Sequence, residues 1–113
     1  MTKIKFFKNH DIYTGFECSG HSGYAEYGKD IVCASISSMT QMTCLGIVQV
    51  LNIPAEIVRN DDKGYIKIKL PESIDKSLQD KVQVLINTLK LSLEDLLEGY
   101  AKYIKLEVIE NVY

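Results

Sequence analysis

No charged side chain occurs anywhere in residues 31–55, although 25% of this 113-residue chain is Asp, Glu, Lys or Arg. Charges ordinarily mark a solvated face, so a stretch this long without one is withdrawn from water along much of its length. Good helix formers in its early part and Pro54 near its end predict one helix, buried at the centre of the fold. A membrane span is the rival reading of the same composition. It needs about 20 predominantly apolar residues, whereas Ser35, Ser37, Ser38, Thr40, Gln41, Thr43 and Gln49 interrupt this run repeatedly. Small polar residues of that kind suit helix packing and the wall of a site. Gly46 costs about 1 kcal/mol relative to alanine inside a helix, which points to close approach of another backbone there.

The flanking segments supply a sheet for that helix to cover. Residues 4–7 and 12–18 read as two strands of a hairpin joined at Asn9-His10-Asp11, with Ile12, Thr14, Phe16 and Cys18 alternating against Tyr13, Gly15, Glu17 and Ser19. His10 sits among polar neighbours at the turn, so it is expected in solvent and not as a catalytic base. Residues 55–59 and 65–70 form a second hairpin around Asn60-Asp61-Asp62-Lys63-Gly64, with Lys67 and Lys69 on a wet face. Pro71 ends that strand. A second helix starts within residues 73–77 and carries Leu78, Val82, Leu85, Leu89, Leu93, Leu96 and Tyr100 at spacings of three or four, a stripe that covers a sheet better than it builds a coiled coil in so small a chain. Residues 103–110 alternate as a last strand. The order is ββαββαβ: an α+β fold, one domain spanning residues 1–113, with a mostly antiparallel sheet packed by two long helices. An apolar content of 46% allows it a modest core.

Several function classes fall away. A net charge of −2 without a basic cluster suggests neither direct nucleic-acid binding nor a polybasic membrane anchor. MTKIKFFKNH lacks the apolar core of a signal peptide, so a cytoplasmic protein is expected. Cys18, Cys33 and Cys44 form an odd set with no CxxC, which argues for free thiols and against a disulfide framework or a metal site. Eleven residues of helix would hold Cys33 and Cys44 about 16 Å apart, too far to bridge; Cys44 reads as core and Cys18 as a strand residue. No phosphate-cradling glycine loop exists. The carboxylate pairs Asp61-Asp62 and Glu94-Asp95 sit in a turn and on a helix face, where charges are usually solvated, and receive no chemical role.

Reactive side chains and the backbone signals that position them coincide only in residues 20–38. His21 is followed by a loop containing Gly23 and Gly28, then by Asp30, which reads as a helix N-cap three residues before Cys33. A thiol in a first helical turn faces unpaired N–H groups and the positive end of the helix dipole, both of which favour thiolate, and a neighbouring imidazolium would favour it further. Taken alone, a cysteine flanked as in IVCA is more often inert packing, and a histidine after glycine more often a turn residue. The residues by themselves leave both readings open.

This stretch resembles the ribosomal-processing cysteine protease (Prp) family, whose pattern is Gly-His, a short loop, Gly-x-Asp, two residues, then Cys-Ala and a Ser. The matching residues are Gly20-His21, Gly28, Asp30, Cys33-Ala34 and Ser37. One departure is Ser22, where many members carry Ala. The likeness extends over nearly the whole chain, including the long C-terminal helix followed by YIKLEVIE. It implies a cysteine endopeptidase that removes a short N-terminal extension, apolar and aromatic before the cut, from a large-subunit ribosomal protein. It also implies a homodimer and no cofactor.

Under that reading Cys33 is the nucleophile and His21 the general acid and base. The N–H groups of Cys33 and Ala34 are candidate oxyanion donors. Asp30 positions the helix start or orients His21. Ser37, one turn beyond Cys33, is either site wall or small packing residue. Gly23 and Gly28 bracket a segment, residues 22–28, expected to be mobile, whose Tyr24 and Tyr27 would cover an apolar substrate residue. The competing readings are a non-catalytic ribosome-assembly or interaction module, and a thioesterase or amidase that uses the same Cys/His pair.

Overall fold

The computed structural model describes residues 1–26 and 29–113. In chain order it contains β1 (Thr2–Asn9), β2 (Ile12–Ser19), α1 (Ile31–Leu45), β3 (Glu56–Asn60), β4 (Tyr65–Lys69), α2 (Lys76–Gly99) and β5 (Ile104–Ile109), which is the expected ββαββαβ succession. The strands form one sheet in the order β3-β4-β2-β1-β5. Every pairing is antiparallel except β1 with β5, the two joined by the long passage through both helices.

The first hairpin turns on His10 and Asp11, both in the left-handed region with φ of 50° and 39°, the geometry that matches the twist of two flanking strands. Its register then slips: Phe7 pairs with Gly15 but Lys8 with Tyr13, so Thr14 is an extra residue in β2. The bulge changes the expected alternation. Phe16 and Cys18 face the core as one set, but beyond Thr14 it is Tyr13 that is buried, and Ile12 is 41% exposed. Tyr13 gains an edge contact with Phe6 and the Lys8 ammonium over its ring, while Thr14 bonds outward to the Val112 carbonyl.

Ile4, Phe6, Phe16 and Ile68 of the sheet, Val32 and Ile47 from the first helical segment, and Val82, Ile86 and Leu93 of α2 have no exposed surface and form one core. Each such side chain contributes about 1.5–3 kcal/mol by leaving water. Ile86 lies outside the leucine stripe read from the sequence yet is among the most buried residues of α2, whereas Leu78, Leu85 and Leu96 are only partly covered.

The uncharged run is shorter as a helix and less buried than expected. After α1 it passes through a π-helical turn, Gly46–Val50, closed by the Leu51 N–H on the Gly46 carbonyl at 2.9 Å, and it stops where Asn52 takes a φ of 54° ahead of Pro54. Gly46 accommodates a side chain and not a backbone: a Cβ there would lie 3.1 Å from Leu85 Cδ1. One face, with Val32, Ile36, Thr40, Thr43, Cys44 and Ile47, is buried in the core, and the Thr40 and Thr43 hydroxyls bond back to the Ile36 and Met39 carbonyls. The opposite face leaves Met42 68% and Val50 75% exposed. Ile31–Val50 is long and apolar enough to cross a membrane, but its buried face is fitted to the sheet and its first turn to a loop that carries chemistry.

Candidate active site

Strand pairing creates the site. Cys18 of β2 pairs with Ile66 of β4, so the chain leaving β2 emerges beside the turn between β3 and β4. Gly20 bends it there with a φ of 86°, and a Cβ at Gly20 would come within 2.9 Å of the Met1 carbonyl oxygen. His21 follows at once. Gly64, at φ 59°, lets the β3–β4 turn press against it: a Cβ on Gly64 would meet the Gly20 carbonyl oxygen at 3.0 Å and His21 Cε1 at 3.1 Å.

The imidazole is held at both nitrogens. Nε2 lies 3.1 Å from the Asp62 main-chain oxygen and Nδ1 lies 3.8 Å from Cys33 Sγ. A carbonyl can only accept, so Nε2 carries the proton in the neutral ring and Nδ1 turns its lone pair toward the thiol. That is the arrangement in which a histidine takes a proton from a cysteine.

Cys33 is half-buried in the first turn of α1. Asp30 caps that turn, its Oδ1 accepting the Cys33 N–H at 2.9 Å and its Oδ2 accepting the Ser22 hydroxyl. Ser22 also accepts the Tyr24 N–H at 3.2 Å, and its own N–H points to Cys33 Sγ at 3.5 Å. Burial would raise the Asp30 carboxyl, but donors from the Cys33 N–H, the Ser22 hydroxyl and the Ala25 and Tyr24 N–H groups together hold it below the usual carboxylate range. The Cys33 and Ala34 N–H groups, expected as oxyanion donors, are both engaged by Asp30, through Oδ1 and through its carbonyl at 3.0 Å.

The other two cysteines are chemically quiet. Burial, with the nearby Cys44 and Glu17, pushes the Cys18 thiol up to about 12, and burial, opposed by Arg59, pushes the Cys44 thiol up to about 11. A cavity of about 610 Å³ opens beside Cys33 and His21. Ala34, Ser37 and Gln41 of α1 form one side and Arg59, Asp61 and Ile66 of the second hairpin the other. No cluster suited to a metal ion occurs among the described residues.

His21, Asp30 and Cys33 lie together, with Gly20 behind them and Ser37 in the cavity wall; Ser22, expected in a loop over the substrate, is instead buried against Asp30 and Cys33. Tyr24 does not take the place expected of a lid. Its ring stands edge-on to Tyr100 and Tyr103, at 5.5 Å and 5.3 Å between centroids, and among the described residues it is Ala25 that represents the loop in the cavity wall. Ser22 is buried and bonded, Tyr24 meets the two rings while staying 41% exposed, and Gly23, at φ 77°, is the bend between them. Tyr27 and Gly28 lie outside the described residues. Asp62 and Gly64 were not anticipated: a main-chain carbonyl has no sequence signature, and the only hint was a glycine in a polar turn.

The family described as cysteine protease Prp matches residues 1–105. The ribosomal processing cysteine protease Prp of Bacillus subtilis (strain 168) is 29% identical over 101 residues, covering 88% of this chain and 90% of that protein. Among solved structures, an essential ribosomal processing protease Prp from S. aureus, in complex with a covalently linked product peptide, superposes with a TM-score of 0.85 at 25% identity over 96% of this chain and 99% of that one. A complex of the S. aureus protease with a substrate peptide gives a TM-score of 0.80 at 25% identity and the same coverage.

Proposed function

This chain belongs to the Prp family of ribosomal processing cysteine proteases, and from that premise we propose that Cys33 is its nucleophile and His21 its general acid and base. The observation that carries the assignment is the imidazole with Nδ1 3.8 Å from Cys33 Sγ and Nε2 fixed on the Asp62 carbonyl. Nδ1 takes the thiol proton. The thiolate attacks the scissile carbonyl carbon, a C–S bond forms, and the imidazolium returns its Nδ1 proton to the departing amine as the C–N bond breaks. A water then loses a proton to Nδ1 and attacks the thioester, releasing the acid and Cys33. Throughout, Asp62 holds the ring by its Nε2–H, and Asp30 holds the helix start so that the sulfur stays in reach.

The substrate under this reading is the N-terminal extension of a large-subunit ribosomal protein precursor, seated in the cavity between α1 and the second hairpin. The reading extends to a single domain acting in the cytoplasm as a homodimer, without cofactor. Incubation with candidate ribosomal precursors, followed by intact mass analysis, tests it. One precursor should lose a defined N-terminal peptide and Cys33→Ser should leave it whole. No mass change in any precursor, or hydrolysis confined to thioesters or small amides, would overturn it.

A further inference from the structure

Ser22 is only 2% exposed, yet three hydrogen bonds converge on it. Its hydroxyl donates to Asp30 Oδ2 and accepts the Tyr24 N–H at 3.2 Å, and its N–H is directed at Cys33 Sγ at 3.5 Å. Since Asp30 Oδ1 holds the Cys33 N–H at 2.9 Å, the contacts close into a ring: sulfur to Ser22 N–H, Ser22 hydroxyl to Asp30, Asp30 to the cysteine's own backbone. His21 is the residue before Ser22, so the ring fixes both the nucleophile and the peptide unit from which the imidazole hangs.

We propose that Ser22 completes the nucleophile: its main-chain N–H is the donor that stabilises the Cys33 sulfur when it is anionic, and its hydroxyl is the positioning group that aims that N–H. A hydrogen bond from an N–H to sulfur is weak while the sulfur is a neutral thiol and becomes charge-assisted when it is a thiolate. The donor therefore acts twice in the reaction, before the C–S bond forms and again when the thioester releases the sulfur. The Cys33 and Ala34 N–H groups at the helix start do not supply this donor, since both are spent on Asp30. Ser22 does not line the substrate cavity, to which the loop gives Gly20, His21, Ala25 and Asp30 among the described residues, so its contribution falls on the chemical step and not on peptide binding.

The proposal rests on Cys33 being the nucleophile, and its test is arranged so that the two can fail separately. Ser22→Ala removes one oxygen and adds no volume, so the variant has room to fold. It should alkylate Cys33 with iodoacetamide about tenfold more slowly at neutral pH, the scale of one hydrogen bond to a charged group. It should lower kcat by a similar factor and leave KM within about twofold. Ser22→Thr, which keeps the hydroxyl, should recover most of both rates. A third arm needs no Ser22 variant: the Ser22 amide should exchange slowly with solvent in the parent and faster in Cys33→Ala. Unchanged alkylation and kcat in Ser22→Ala, a loss seen only in KM, no recovery in folded Ser22→Thr, or equal Ser22 exchange with and without the sulfur would each overturn the proposal. If Cys33→Ser abolishes turnover while Ser22→Ala behaves as the parent, only this inference falls. If Cys33→Ser still turns over, the dyad itself falls.

Discussion

Asp30 and Asp75 open the two long helices with the same chemistry, each carboxylate accepting a first-turn N–H, from Cys33 at 2.9 Å and from Ser77 at 3.2 Å. What surrounds them differs. Asp75 stands in solvent, and its other donors are the hydroxyl of Ser77 itself at 2.6 Å and the Leu78 N–H, so everything it holds belongs to its own helix. Asp30 is 8% exposed, and its second oxygen is taken by Ser22, on a loop that carries His21. Both carboxyls are held below their ordinary range, Asp75 by the Ser77 hydroxyl and N–H, Asp30 by a set of donors that outweighs its own burial. The cap in water ends a helix. The buried cap also joins two segments, and the joint is where the thiol and imidazole meet.

The largest effect that would break this contrast concerns what the joint carries. Cys33→Ser and His21→Ala should each lower kcat by 10³-fold or more while the melting temperature stays within a few degrees, because the nucleophile and the acid/base are lost but little core volume is. Cys18→Ser and Cys44→Ser should keep the parent kcat, as measured on the cleaved precursor.

Replacing the two caps compares them directly. Asp30→Ala should cost about 1–2 kcal/mol of stability and at least tenfold in kcat, whereas Asp75→Ala should leave kcat unchanged and move the thermal midpoint less. A pH series sharpens the difference. Because the folded Asp30 carboxyl lies below its unfolded value of about 3.9, its stabilisation is complete at neutral pH and is lost as pH falls through the lower, folded value. The gap between parent and Asp30→Asn in urea midpoint should therefore close only below about pH 4. A gap that closed near pH 6 would mean that a histidine, and not this carboxylate, governs the joint.

Gly64→Ala should have a smaller effect, lowering kcat about tenfold. The new methyl group would enter the space of His21 Cε1 and the Gly20 carbonyl, in a backbone conformation that costs an alanine about 1–2 kcal/mol. Ser37→Ala should be smallest, within about threefold and chiefly in KM, because the hydroxyl lies in the cavity wall one turn from the sulfur.

Periodicity made the element order legible and an N-cap signal placed Asp30 three residues before Cys33, because strands, a helix stripe and a cap are local signals; the pairing of His21 with Cys33 was left open by spacing and came from the family resemblance. What stayed hidden is non-local. The extra residue Thr14 reverses Tyr13 and Ile12, and the one local hint is the neighbouring Gly15, a glycine inside a strand pattern. The absence of charge in residues 31–55 reads as burial, although Ile31, Met42, Leu45 and Val50 are apolar and exposed. Asp62 enters the site through a carbonyl that every residue possesses, and Tyr24 turns from the cavity because Tyr100 and Tyr103, far along the chain, receive it. Ser22 registered only as a departure from a family pattern, and its three bonds needed the fold.

Site-resolved alkylation tests the central claim most directly. Brief treatment with iodoacetamide near neutral pH, followed by peptide mass mapping, should label Cys33 almost alone, since Cys18 and Cys44 are buried and held as thiols. Labelling of Cys33 should slow about tenfold in His21→Ala and in Asp30→Ala and be unchanged in Asp75→Ala. Faster labelling of Cys18 or Cys44, or a Cys33 rate indifferent to His21 and Asp30, would contradict the account.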